Sequence, residues 1–211
     1  MGFYPATGNE SIAGSLAVSG SATISGTVNG VTIPVQDPWL PSDNTLLASS
    51  GDLDAYLGTF AAMAANVLYL CKVMIRQAMT AGHTTVGVEA AGSGTSSGTY
   101  TGVYSSSGVL LSGSSDISAD LAADTVPLLP LTSAVALAAG TFVWVALVAD
   151  YATTQPSLWR NGGASTVAAS NAGLTAATLR YAVNGTTLAS TITPASNTQT
   201  GAFPFWAGLA A

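Results

Sequence analysis

The chain has 211 residues, 48% of them hydrophobic and only 7% charged, with a formal net charge of −6. Its basic side chains, Lys72, Arg76, Arg160 and Arg180, make no clustered positive face, which excludes a nucleic-acid partner and an anionic membrane surface. A single cysteine, Cys71, excludes an intrachain disulfide framework, and no apolar run reaches the roughly 18 residues of a membrane span.

The length suits one domain of about 130–150 residues plus an extension. Residues 1–13 open MGFYPATGNE, without the basic and apolar regions of a signal peptide. Phe3 and Tyr4 stand out there as anchors for a partner surface, because aromatics dominate interface energetics.

Residues 14–33 read GSLAVSGSATISGTVNGVTI, with glycines every six residues at Gly14, Gly20 and Gly26. Between them apolar side chains alternate: Leu16 and Val18, Ala22 and Ile24, then Val28. Period two argues for short strands, and the regular glycine for a tight corner at each hexad boundary. So few small apolar side chains cannot offset the entropy of ordering the stretch in one chain. Ladder hydrogen bonds between chains close that gap, so an intertwined shaft of three chains is expected, with Leu16, Val18, Ala22, Ile24 and Val28 at its centre. A flexible Gly/Ser linker is the plainer alternative, but it has no use for the spaced Leu, Val and Ile.

Residues 34–41, PVQDPWLP, stiffen the chain into a collar around Trp39. In 42–58, turn chemistry at SDN and SSGD leaves Ser50 or Asp52 to cap a short helix over 53–57. From position 67 the enrichment in β-branched and aromatic residues predicts a long strand over 67–78, with 60–66 as an irregular approach. Val67, Tyr69, Cys71, Val73 and Ile75 form its apolar face; Lys72 and Arg76 share the mixed face. Beyond it the pattern is uniformly β. Strands are expected over 83–90, 100–105, 109–112, 126–131, 135–137, 141–150, 158–160, 179–183, 187–188 and 202–209, with a hairpin turn at 106–108 and loops at 92–98 and 116–124. Many short strands separated by turn signals predict a β-sandwich head over 42–211.

Catalytic sets are absent. His83 is the only histidine and is read as a residue of the turn TAGHTT, with no nucleophile elbow to serve. One His and one Cys exclude a histidine-based metal site. Cys71 reads as a small buried hydrophobe, with Lys72 on the opposite strand face. Asp116, Asp120 and Asp124 fall four residues apart in SSDISADLAAD; they read first as turn caps in a solvated loop, then as a calcium site, and last as glycan-cleaving carboxylates. No catalytic residue, metal ligand or cofactor is therefore nominated. Binding is the better expectation. Tyr100, Tyr104, Tyr151, Trp159 and Trp206 are the aromatics considered for a glycan surface. Tyr151 and Trp159, which flank the loop ATTQPS, are the pair nominated for a receptor-facing tip; Trp144 and Trp206 read as packed.

Stretches of 67–209 carry a resemblance. GVYSSSGVLL, LAAGTFVWVAL and the closing ASNTQTGAFPFWAGL resemble the hairpin, strand and terminal segments of the C-terminal β-sandwich module of minor tail and fibre proteins in phages of actinobacteria. The hexads are similar to repeated segments of phage fibre shafts. The resemblance implies a homotrimeric virion spike or fibre with a jelly-roll-like head, joined to other virion proteins through residues 1–13 and meeting a host cell-surface glycan. The long upstream portion of many tail proteins is lacking, which favours a small stand-alone fibre or decoration protein anchored by residues 1–13. The alternatives are a capsid-decorating head fibre and, in another class, a glycan-active enzyme or secreted lectin.

Overall fold

The computed structural model describes residues 26–28, 31–33, 41–52, 60–160, 165–199 and 204–211. The chain divides into two units, Met1–Pro38 and Trp39–Ala211.

In the first unit, β1 (Gly26–Val28) pairs antiparallel with β2 (Val31–Ile33), Gly26 facing Ile33 and Val28 facing Val31. Gly26 therefore sits within a strand. The expectation of a corner at each hexad glycine is corrected at this position. Asn29-Gly30 is the sequence reason: an Asn-Gly pair between extended segments is the strongest short-range hairpin signal. Val28 lies on β1. Leu16, Val18, Ala22, Ile24, Phe3 and Tyr4 lie outside the described residues, as do the collar Trp39 and the expected helix over 53–57.

The second unit is all-β and antiparallel. Its strands are β3 (Ala48–Ser49), β4 (Phe60–Ala62), β5 (Tyr69–Ile75), β6 (Met79–Val86), β7 (Val88–Ala90), β8 (Tyr100–Ser105), β9 (Leu110–Gly113), β10 (Leu128–Leu137), β11 (Thr141–Val148), β12 (Ser157–Trp159), β13 (Tyr181–Val183) and β14 (Ala207–Ala210). Among the described residues the one α-helix is α1 (Ser165–Ser170). Three sheets form, in the orders β10-β6-β14-β3, β13-β5-β11-β8-β9 and β4-β12-β7.

The five-stranded sheet organises the rest. β11, TFVWVALV, is apolar on both faces, as a strand covered from both sides must be. Val143, Val145 and Leu147 enter the main core with Tyr69, Cys71, Val73 and Ile75 of β5. Leu129, Val135 and Leu137 of β10 and Ala207 and Leu209 of β14 bring the four-stranded sheet into the same core. On the other face Trp144, Ala146 and Val148 join Leu68, Leu70 and Tyr104 under Leu179 and Ile192. Thr84 of β6 and Thr101 of β8 cross the main core polar to polar. Their hydroxyls lie 2.8 Å apart, and Thr101 Oγ1 donates to Ala146 O at 2.9 Å, so Thr84 is the donor to Thr101.

Several boundaries differ from expectation. The predicted 67–78 strand ends at Ile75, and Met79 begins a strand of another sheet. Val126–Leu131 and Val135–Leu137, expected as two strands, are one ten-residue strand with an irregularity between Pro130 and Val135. Residues 187–188 form no strand; Leu188 packs instead against the five-stranded sheet. The hairpin turn at 106–108 is as expected: Gly108 has φ +91°, and a Cβ there would clash with Ile192 O, so glycine is required both by conformation and by space.

Candidate functional site

Tyr151 and Trp159 sit in different clusters. Tyr151 follows β11, is 8% exposed and belongs to the main core. Its hydroxyl donates to Ser118 O at 2.7 Å, and its ring lies against Gly92, where a Cβ would be 2.7 Å away. Burial pushes the phenol up from its ordinary value, against a hydrogen bond to Thr99 that lowers it. Little of that ring is left for a ligand. Trp159, on β12, is half-buried beside the small cluster of Leu46, Trp206 and Ala210, and its Nε1–H donates to Glu89 Oε2 at 2.8 Å. Trp144 and Trp206 are buried. Tyr104 is buried too, its hydroxyl donating to Ala189 O at 2.7 Å.

The acidic loop is built from turn caps. Asp116 Oδ1 accepts from the Ser118 N–H at 2.9 Å and the Thr99 N–H at 3.2 Å. Burial works to raise its pKa, but these donors outweigh it and hold the carboxyl below its ordinary value. Ile117 and Leu121, between the acids, are buried and pin the loop to the core. Asp120 and Asp124 are exposed, and no three His, Cys, Asp or Glu side chains among the described residues stand close enough to hold a metal ion.

His83 lies within β6, opposite Ala210, not in a turn, and its Nδ1 is hydrogen-bonded to Ala211 O. β6 begins at Met79, so the strand expected from position 83 extends back through the residues read as a turn. Cys71 is fully buried, and that burial pushes its thiol up to about 12, despite lowering by Ser50 and Arg180. A thiol so placed is no nucleophile. Among the described residues no helix is long and apolar enough to cross a membrane.

Tyr100, the remaining aromatic of the five considered, lines an opening. Where β8 begins and β11 ends, a cleft of about 390 Å³ is lined by Asn66, Ser97, Tyr100, Asp150, Thr187 and Leu188, among others. Its walls are fixed by the backbone. The Asn66 N–H donates to Ala149 O at 3.0 Å, and the Ser97 N–H to Asp150 O at 2.9 Å. Leu68 and Asn184 exchange with the opposite strand segment, Leu68 N–H to Gly185 O at 3.0 Å and Asn184 N–H to Leu68 O at 3.1 Å, which brings Thr187 to the rim. Asn66 has φ +54°, a left-handed conformation that Asn tolerates better than most side chains. Gly98, at φ +138°, forms the seat of Tyr100: a Cβ there would be 2.6 Å from Cε2 of the ring and 2.7 Å from its hydroxyl.

Sequence reasoning named Tyr100 but missed Asn66, Asp150 and Thr187. The left-handed Asn66 and the pairing of 184–185 with Leu68 have no periodic signature; Asp150 was read only as the end of a strand. Chemically the cleft offers one aromatic face, one carboxylate, one carboxamide and several hydroxyls. Asp150 has no second acid among the lining residues, so the two-carboxylate arrangement of glycoside hydrolysis is missing from it. A second groove, of about 330 Å³, lies beside β3 and is lined by Pro41, Leu47, Met74, Arg76 and Met79, among others. No protein-family model matches the chain, and no curated protein is similar to it.

Proposed function

We propose that this chain is a structural and adhesive virion protein that binds rather than catalyses. In this reading the Trp39–Ala211 unit is a jelly-roll-like β-sandwich head, and the hexads before it intertwine in a homotrimeric shaft. Residues 1–13, with Phe3 and Tyr4, join it to other virion proteins as a short tail fibre or spike. The observation that supports the reading is the alternation of small apolar residues between glycines six apart over 14–33, of which the structure describes β1 and β2 as extended segments. Charge-poor, hydroxyl-rich surfaces suit such an assembly, and Asp150 has no second acid among the described residues that line the cleft. Quantitative mass spectrometry of purified particles tests it: three to six copies per particle, or a small multiple, fit a tail fibre, tens to hundreds fit a capsid decoration, and absence from particles contradicts both.

A further inference from the structure

We propose that the cleft between Tyr100 and Asn66 is a saccharide site that accepts neutral sugars and turns away acidic ones. It rests on the adhesive half of the function just proposed, but not on the trimer. The cleft is within the about 300–1,000 Å³ range of small-ligand pockets and toward its lower end, which suits one or two sugar rings. The half-buried Tyr100 ring, seated on Gly98, offers a rigid apolar plate to the C–H face of a pyranose. Around it stand groups matched to ring hydroxyls. Asn66 carries both donor and acceptor, Asp150 accepts, and the hydroxyls of Ser97, Ser114 and Thr187 do either.

The selectivity follows from charge. Among the described residues no Lys, Arg or His lines this cleft, whereas Asp150 places a negative charge in it. Three of the described basic side chains are placed elsewhere. Lys72 Nζ donates to Thr178 O and stands 4.3 Å from the centre of the Phe142 ring, Arg180 reaches Ser50 O, and Arg76 lines the other groove. A uronate or sialate would lose water at its carboxylate, find no cation, and face Asp150. A neutral hexose loses only hydroxyl hydration, which the cleft replaces.

Saturation-transfer NMR on the full chain tests this. The probes are the methyl glycosides of glucose, galactose, mannose and N-acetylglucosamine, with glucuronic acid, N-acetylneuraminic acid and choline as the charged set. At least one neutral glycoside is expected to show transfer, and the acids none. Asn66→Gly removes the amide while suiting the left-handed backbone, so this variant folds, and it is expected to weaken binding at least about tenfold. Tyr100→Ala is expected to abolish transfer. Transfer to the acids or to choline but not to the neutral glycosides overturns the proposal. So does no transfer to any neutral probe at millimolar concentration, or unchanged binding by Asn66→Gly. A monomeric chain that binds neutral sugar sinks the fibre and keeps this site; a trimer that binds none does the reverse.

Discussion

Replacing Gly87 by Ala probes how Trp159 is held. Gly87 lies buried between β6 and β7, and its carbonyl accepts from the Trp159 N–H at 2.9 Å. Its φ is not in the left-handed region, so the effect of a methyl group is one of space alone. That methyl would sit 2.5 Å from Cε3, 3.0 Å from Cδ2 and 3.2 Å from Cβ of Trp159. The indole cannot swing aside freely, because its far end is tied to Glu89. Overpacking of this kind costs about 1–3 kcal/mol. If the ring moves, the hydrogen bond to Glu89 goes as well, about 1 kcal/mol more at a half-exposed position. A total of about 2–4 kcal/mol, at a urea slope of roughly 2 kcal/mol/M, lowers the unfolding midpoint by about 1–2 M. The decisive comparison is a double-mutant cycle. In a Trp159→Ala background both ring contacts are gone and only the 3.2 Å contact to Cβ remains, and Gly87→Ala is expected to cost less than about 1 kcal/mol. An equal cost in both backgrounds would refute the reasoning, since some neighbour other than Trp159 would then be responsible.

Two buried tryptophans offer a second comparison. Trp206 Nε1–H donates to Gly51 O at 2.9 Å, whereas Trp144 Nε1 is buried without a hydrogen-bond partner. Trp206→Phe is therefore expected to destabilise by about 1 kcal/mol more than Trp144→Phe in urea titrations; the opposite order would contradict the assignment. Cys71 is expected to resist alkylation at pH 8 in the native chain and to react once the chain is unfolded. Its thiol is raised from 9.0 to about 12, so its contribution to stability is intact below about pH 9 and is lost as pH rises towards 12. Cys71→Ala should flatten that alkaline decline, read as urea midpoints against pH. Asp116 has the opposite sign. Its depressed pKa adds stability above the ordinary carboxyl value of 3.8 that disappears as pH falls below it. Asp116→Ala, which removes the acceptor of two backbone N–H groups, is expected to cost about 1 kcal/mol at pH 7 and progressively less on acidification.

What the sequence made legible was the strand content and the two-faced burial around β5 and β11. Alternation there is strict: Tyr69, Cys71, Val73 and Ile75 on one side, Trp144, Ala146 and Val148 on the other face of the partner strand. Such period-two signals are local and survive folding. What was not legible depends on partners distant in sequence. The break at Gly87 reflects contact with Trp159, and the burial of Tyr151 reflects its seat on Gly92 and its bond to Ser118. β10 continues through polar Thr132 and Ser133, where Ser112 Oγ accepts the Ser133 N–H at 3.2 Å across from β9. The cleft was hidden for the same reason, since Asn66, Ser97, Asp150 and Thr187 converge from four separate segments. In the N-terminal repeat the hexad glycines drew attention away from Asn29-Gly30, the more specific local signal.

The central claim is that the hexad repeat drives three chains together. Native mass spectrometry of the full chain across micromolar concentrations tests it most directly. A trimer that persists on dilution is the predicted result; a monomer at every concentration would contradict the account.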